Sequence, residues 1–235
     1  DGRLANVRGA APGAVVQRTG SGFQWNSLAA GDDAASRWGF FVNGLYNLTD
    51  RDATLRESGF EADDYGVTVG ADYAFSDTFV FGLAFGYRDS DADIDGNGGN
   101  LESDSLSVFG YWSFYSGDWY TDVMVGYTDS DHDQARNTIY AIGATTVNNS
   151  ALSSTQSDEI SASIAVGRNY GYNRWTLTPY GRFEFADTNI DGFSERMSAP
   201  GAAGSGFALA IDEQDVQSLT MTFGGTATTE VETPG

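Results

Sequence analysis

From about residue 37 to residue 227 the chain alternates small or polar residues with apolar or aromatic ones, in segments of about ten residues. The clearest is Tyr65-Gly66-Val67-Thr68-Val69-Gly70-Ala71-Asp72-Tyr73, where every odd position is apolar or aromatic and every even one is Gly, Thr or Asp. Side chains of a strand point to opposite faces with a period of two. One face of each segment therefore wants an apolar surrounding and the other wants water.

The pattern predicts eight strands, at about 37–48, 63–75, 78–89, 104–115, 118–129, 158–172, 174–187 and 216–228. On the first, Trp38, Phe40, Val42 and Tyr46 share a face with Gly44. On the third, Phe79, Phe81, Leu83, Phe85 and Tyr87 oppose Gly82, Ala84, Gly86 and Arg88. The fourth puts Leu106, Val108 and Trp112 on one side but has aromatics on both, at Phe109 and Tyr111, so its facing is the least constrained. The fifth sets Trp119, Val123, Val125 and Tyr127 against Asp122, Gly126 and Thr128, and the seventh sets Trp175, Leu177, Pro179, Phe183 and Phe185 against Tyr180, Arg182 and Glu184.

The connections alternate in length. Ser76-Asp77, Ser116-Gly117 and Asn173-Arg174 are expected to be tight turns between antiparallel neighbours. The segments near 49–62, 90–103, 130–157 and 188–215 read as long loops rich in Asp, Asn, Ser and Gly. Putting every long connection at one end is the habit of an outer-membrane barrel. The dimensions agree: eight steps from Tyr65 to Tyr73 make about 26 Å of strand, which after tilting matches the apolar band of such barrels. The expected fold is all-β: an antiparallel up-and-down transmembrane β-barrel, with short turns at one end and long acidic loops at the other. Trp38, Tyr65, Tyr73, Phe79, Tyr87, Trp119, Tyr127 and Trp175 are expected to form its interfacial aromatic belts.

Composition narrows the partners. A net charge of -21 in 235 residues argues against nucleic acid. No run of about 18 apolar residues exists to make a membrane helix. There is no Cys, hence no disulfide scaffold and no thiol chemistry. Residues 1–36, broken by Pro12 and several Gly, read as a leader or linker that is partly helical inside the barrel, and 37–235 as the barrel domain. The charged or polar Asn43, Asp72, Arg88, Asp122, Arg182 and Glu184 fall opposite the apolar face and are expected to line a lumen. Facing lipid at mid-depth, an Arg would cost about 2–4 kcal/mol and an Asp or Glu less.

Two motifs invite chemistry. Asp91-Ala92-Asp93-Ile94-Asp95-Gly96, with Glu102 five residues on, matches an EF-hand calcium loop at every specified position. Strands rather than helices flank it, so a solvated acidic loop is expected and no metal site. His132 lies between Asp131 and Asp133, where a water-activating Asp-His pair could sit. No nucleophile elbow or H-E-x-x-H accompanies it, so no catalytic residue, cofactor or enzyme activity is expected.

Trp38-Gly39-Phe40-Phe41-Val42-Asn43-Gly44, Tyr65 to Tyr73, Phe81-Gly82-Leu83-Ala84-Phe85-Gly86-Tyr87 and Leu177-Thr178-Pro179-Tyr180-Gly181-Arg182-Phe183-Glu184 resemble, in order and spacing, the translocator domain of autotransporters, the type V secretion family. The resemblance implies a barrel in the bacterial outer membrane that exports and anchors its own N-terminal passenger. Its partners would be that passenger, the barrel assembly machinery, and outer-membrane lipid and lipopolysaccharide. Family barrels have twelve strands and end in an aromatic residue, whereas eight are visible here and the chain stops at Thr233-Pro234-Gly235. The C-terminal strands are therefore expected to be missing from this piece. Some members cut themselves at an Asn pair within a pore helix; Asn148-Asn149 lies in a long loop, so no cleavage site carries over. A small OmpA-like structural or adhesive barrel without transport is the alternative.

Overall fold

The structure, a computed structural model, describes residues 37–55 and 57–229. The leader at 1–36 and the segment 230–235 lie outside the described residues. Twelve strands are found among those described: β1 Trp38–Arg51, β2 Phe60–Ser76, β3 Phe79–Ile94, β4 Gly99–Ser116, β5 Trp119–Ile142, β6 Thr145–Arg168, β7 Tyr170–Tyr172, β8 Trp175–Ile190, β9 Phe193–Ser194, β10 Arg196–Met197, β11 Ala210–Ile211 and β12 Gln214–Thr229. Eight are long, and they match the eight expected segments one for one. They form one antiparallel meander in the order β1-β2-β3-β4-β5-β6-β8-β12. Each neighbour in the sheet is the next long strand in the chain, so only hairpins are needed. Among the described residues β1 and β12 each have one long neighbour, and the sheet is not closed.

The three tight ends are as short as expected; Asn173-Arg174 lies where expected and the other two are shifted by one residue. Ser76 pairs with Phe79 and Ser116 with Trp119, so the turn residues are Asp77-Thr78 and Gly117-Asp118. Gly117 adopts φ 63°, a left-handed conformation that the hairpin turn demands and that glycine meets without strain. Asn173 does the same at φ 56° in the third turn, between Tyr172 and Trp175. Strand pairing slips once beside this end, between Ala74 and Ser76, leaving Phe75 as a bulge.

At the opposite end two expected loops are strand. Residues 90–103 belong to a hairpin closed by Asp95–Gly98, and 130–157 to one closed at Gly143-Ala144, with pairing continuous from Trp119↔Arg168 to Ile142↔Thr145. β5 and β6 are 24 residues each, against the nine to eleven or so that a membrane strand needs. Their outer halves therefore stand clear of any bilayer. The missing signal has a physical reason: with no hydrocarbon on the outer face, residues such as Asp129-Ser130-Asp131-His132-Asp133-Gln134 carry no apolar alternation. The remaining connection, between β8 and β12, holds β9, β10, β11 and a 3-10 turn at Ser205–Phe207.

One face of the sheet is apolar and uncovered. Phe40 (56 % exposed), Phe85 (59 %), Leu106 (63 %), Ile160 (60 %) and Phe223 (77 %) all stand on it. Leaving such side chains in water forfeits about 1.5–3 kcal/mol apiece relative to an apolar surrounding. Hydrocarbon supplies that surrounding, so this is the lipid-facing side.

Candidate functional site

The opposite, inner face is built in rows, because pairing places residues of one parity side by side across the strands. One row runs Gly39, Asp72, Gly82, Tyr111, Met124, Ser163, Glu184, Thr220. The next, toward the long connections, runs Phe41, Gly70, Ala84, Phe109, Gly126, Ser161, Ala186, Ser218. Buried Phe41, Ala84, Phe109 and Met124, with Tyr111 against them, form an apolar floor here. The ambiguous β4 is thereby resolved. Phe109 and Tyr111 face inward, leaving Leu106, Val108 and Trp112 to lipid.

Large side chains fit on this face where a ring lies across a glycine directly opposite it. Five such pairs occur among the described residues: Phe41 on Gly70, Tyr111 on Gly82, Phe109 on Gly126, Tyr120 on Gly167 and Tyr180 on Gly224. A Cβ added at Gly82 would fall 2.2 Å from the Tyr111 ring, and one at Gly126 2.5 Å from Phe109. The small residues of the alternating pattern are thus sockets for rings on the neighbouring strand, as well as space in a lumen.

Polar groups surround the floor. Toward the turn end Asp122 accepts a hydrogen bond from Ser113 Oγ at 2.6 Å, and Arg182 stands in the same row, one strand beyond Ala165. Asp72 accepts from the Tyr111 hydroxyl at 3.4 Å. Toward the other end Arg88 donates to Asp64 at 2.7 Å, and Asn47 donates to the same carboxylate at 3.2 Å. Asn43, Asp72, Arg88, Asp122, Arg182 and Glu184 all lie on this face. Arg88–Asp64 is an ion pair, and the sequence offered no sign that Asp64 was its partner.

Above these rows comes a ladder of hydroxyls: Ser107 with Thr128 (2.9 Å), Ser105 with Ser130 (2.8 Å), then Ser103, His132 and Ser157. His132 Nδ1 is 2.8 Å from Ser103 Oγ and Nε2 is 2.8 Å from Ser157 Oγ. Burial pushes the imidazole below its ordinary pKa, the main influence on it. Asp131 and Asp133 take the other parity and bond outward-side Gln156 and Ser154. The sequence triplet is therefore not a spatial one, and His132 ties three strands together.

The calcium-loop motif is likewise dispersed. Asp91 and Glu102 are cross-strand partners on β3 and β4, Asp93 lies further along β3, and Asp95 is in the turn. These carboxylates lie along a flat hairpin that does not wrap a point in space, so the EF-hand spacing has no structural counterpart.

The eight named aromatics all stand on the lipid-facing side, in two tiers. Trp38, Tyr73, Phe79, Trp119 and Trp175 lie by the tight turns, while Tyr65, Tyr87 and Tyr127 lie toward the long connections. Tyr87 donates to Asp104 at 2.5 Å and Tyr127 to Asp158, so the upper tier marks where apolar surface gives way to carboxylates. Arg168 packs over the Trp119 and Tyr170 rings at the lower tier.

Comparison with known proteins supports this geometry. The translocator domain of autotransporter NalP from Neisseria meningitidis matches with a TM-score of 0.66 at 16 % identity, over 86 % of this chain and 65 % of that one. The β domain of the Bordetella autotransporter BrkA aligns over 87 % of this chain and 82 % of that one at 14 % identity, but its TM-score of 0.38 adds no weight. In sequence, an uncharacterized protein of the trpE-trpG intergenic region of Pseudomonas putida is 24 % identical over 156 residues, 64 % of this chain and 24 % of that protein. The chain thus spans about two-thirds of the matched structure and a quarter of the curated relative. The autotransporter β-domain family model matches residues 40–235. The chain belongs to the autotransporter β-domain family, a family of bacterial outer-membrane barrels.

Proposed function

We propose that this chain acts as an outer-membrane translocator, inserting as a barrel in the bacterial outer membrane, exporting an N-terminal passenger and anchoring it at the cell surface. The observation that carries the reading is one sheet with two solvents: an aromatic-bordered apolar face outside, and a glycine-, serine- and charge-bearing face inside. In this reading 37–235 is the barrel domain, 1–36 the leader connecting it to the passenger, and Asn43, Asp72, Arg88, Asp122, Arg182 and Glu184 line the conduit. Lipopolysaccharide meets the barrel's lipid-facing side, and the assembly machinery delivers it to the membrane. Its family is one of transport and secretion, and the chain works without catalysis or cofactor.

The test is surface display. A protease-sensitive reporter fused ahead of residue 1 of the full-length protein should be cleaved by protease added to intact cells. A reporter that stays protected while the barrel is inserted contradicts export. The apolar floor of Phe41, Ala84, Phe109 and Met124 favours one second reading, a structural barrel filled by its own side chains. Current through the purified full-length barrel with residues 1–36 deleted separates the two: a translocator conducts, a filled barrel stays closed.

A further inference from the structure

The connection between β8 and β12 folds back on the sheet. It leaves β8 beside β6, with Asp191 N–H donating to Gln156 O at 2.9 Å and Thr155 Oγ1 to Asp191 O at 2.7 Å. β9 and β11 pair into a narrow stalk, and β10 joins the free edge of β6 at Ala151 and Leu152. Residues 195–209 then cross one particular side of the β5–β6 hairpin. Pairing runs unbroken from Met124 to Tyr140 on β5 and from Ser163 to Val147 on β6, so the inner face can be followed upward residue by residue. Arg136, Tyr140, Val147, Asn149 and Ala151 are all on it.

Each of these is a contact of the crossing segment. The Glu195 carboxylate, 4 % exposed, takes two hydrogen bonds from Arg136 at 2.9 and 2.6 Å and one from Leu209 N–H at 2.8 Å. Arg136 also donates to Phe207 O at 3.1 Å, and the Phe207 ring meets Tyr140 edge-on at 5.4 Å. Asn149 donates to Ala199 O and accepts from Ser198 Oγ and Ala199 N–H. Val147, Ala151 and Met197 are buried beneath.

We propose that residues 195–209 form a hinged lid over the outer mouth of the lumen, latched by Arg136 and Glu195, whose opening admits passage. The lid is held to one hairpin by the two-residue pairing of β10, by polar contacts and by a few apolar side chains, on a stalk of two-residue strands, so its opening breaks only that short edge pairing and leaves the eight long strands in place. It lies on the lumen side, where an export path must emerge. The proposal rests on the translocator reading for what passes, but not for the lid's position.

The cysteine-free chain makes the test direct. Ser105→Cys, on the inner face below the lid, is introduced into the full-length protein and probed in intact cells with a membrane-impermeant maleimide. With the latch intact, labelling is slow; Glu195→Gln and Arg136→Ala each raise the rate by about tenfold or more, as loss of a charge-assisted pair predicts. Equal rates in all three overturn the lid. If a latch variant fails to insert, Ala151→Cys with Met197→Cys in the chain without the Ser105 change and with residues 1–36 deleted gives a second reading: oxidation stops current through the purified barrel and dithiothreitol restores it. Equal current in both states overturns the lid as well. Passenger display is scored in the labelling cells. Display lost with labelling as expected strikes at the translocator reading and leaves the lid standing, whereas equal labelling sinks the lid whatever the display.

Discussion

β5 and β6 pass through two environments in a single register, and their two halves are built inside out relative to each other. In the lower half the outer side carries Trp119, Val123, Val125, Ile160, Ile164 and Val166, while the inner side sets Tyr120, Asp122 and Met124 among Gly126, Ser161, Ser163, Ala165 and Gly167. In the upper half the outer side carries Asp129, Asp131, Asp133, Ser154, Gln156 and Asp158, and the apolar side chains are on the inner side, at Val147 and Ala151 with Met197 of β10 against them. The backbone ladder is the same throughout, so the change must come from the solvent. Where hydrocarbon lies outside, exposed apolar side chains are stable there. Where water lies outside, the strands bury what they can on the only covered side.

The carboxylates make the same point. Asp89, Asp104 and Asp131 are direct neighbours across β3, β4 and β5 on the outer face. Like charges opposed on adjacent strands destabilise a sheet. The row is tolerable in water with counterions, and untenable in lipid. It begins one outward position above Tyr87 and two above Tyr127, which fixes the border to within two rows.

One charge placed in each half separates the two environments. Phe85→Arg, on the outer face of the lower region, should cost about 2–4 kcal/mol of stability in lipid. Ile139→Arg, equally outward but in the upper hairpin, should stay within about 0.5 kcal/mol. Unfolding in bilayers measures both, and equal costs would end the distinction. Next, Gly126→Ala drives a methyl into the Phe109 ring and should cost about 1–3 kcal/mol, with Phe109→Leu recovering part of it. Recovery is what separates a socket from a merely small residue.

Asn149→Ala should act only in the upper half. It removes a buried amide that serves Ser198 and Ala199, for about 1–3 kcal/mol. Hydrogen exchange should accelerate at Ser198 and Ala199 and stay unchanged at Val67 and Leu83. The smallest effect is with pH. Arg136 holds the Glu195 carboxyl below its ordinary 4.5. The stability this lends is complete above about pH 4.5 and is lost as pH falls through the lower folded value. His132, held below 6.5 by burial, adds to the same trend. Below pH 6.5 the opened form takes up the proton first, so the upper region weakens on acidification. Exchange at Leu209, corrected for intrinsic rates, should rise between pH 7 and pH 4 while Leu83 does not change.

The sequence showed the lower region more plainly than the upper, for the reason just given. Period-two alternation reports a contrast between solvents, and that contrast exists only where lipid lies outside. It located all eight long strands and their order, and it stopped where Tyr87 and Tyr127 stop. Even the doubtful β4 carried a readable cue, since Phe109 and Tyr111 meet Ala84 and Gly82 across the pairing with β3. Each turn misplaced by one residue came from Ser-Asp and Ser-Gly pairs, whose hydroxyl can cap either end. Arg136 and Glu195 were out of reach. They lie 59 residues apart and meet only because a 24-residue strand and a folded-back connection deliver them to one side.

Hydrocarbon solvates one face of this sheet and the lumen the other. Single cysteines placed along β3 from Val80 to Tyr87, spin-labelled in the full-length protein in bilayers, test it most directly. Collision rates with oxygen, which concentrates in lipid, should peak at positions 81, 83, 85 and 87. Rates with a water-soluble nickel reagent should peak at 80, 82, 84 and 86. A uniform profile, or one in which the odd positions meet the nickel reagent, would contradict it.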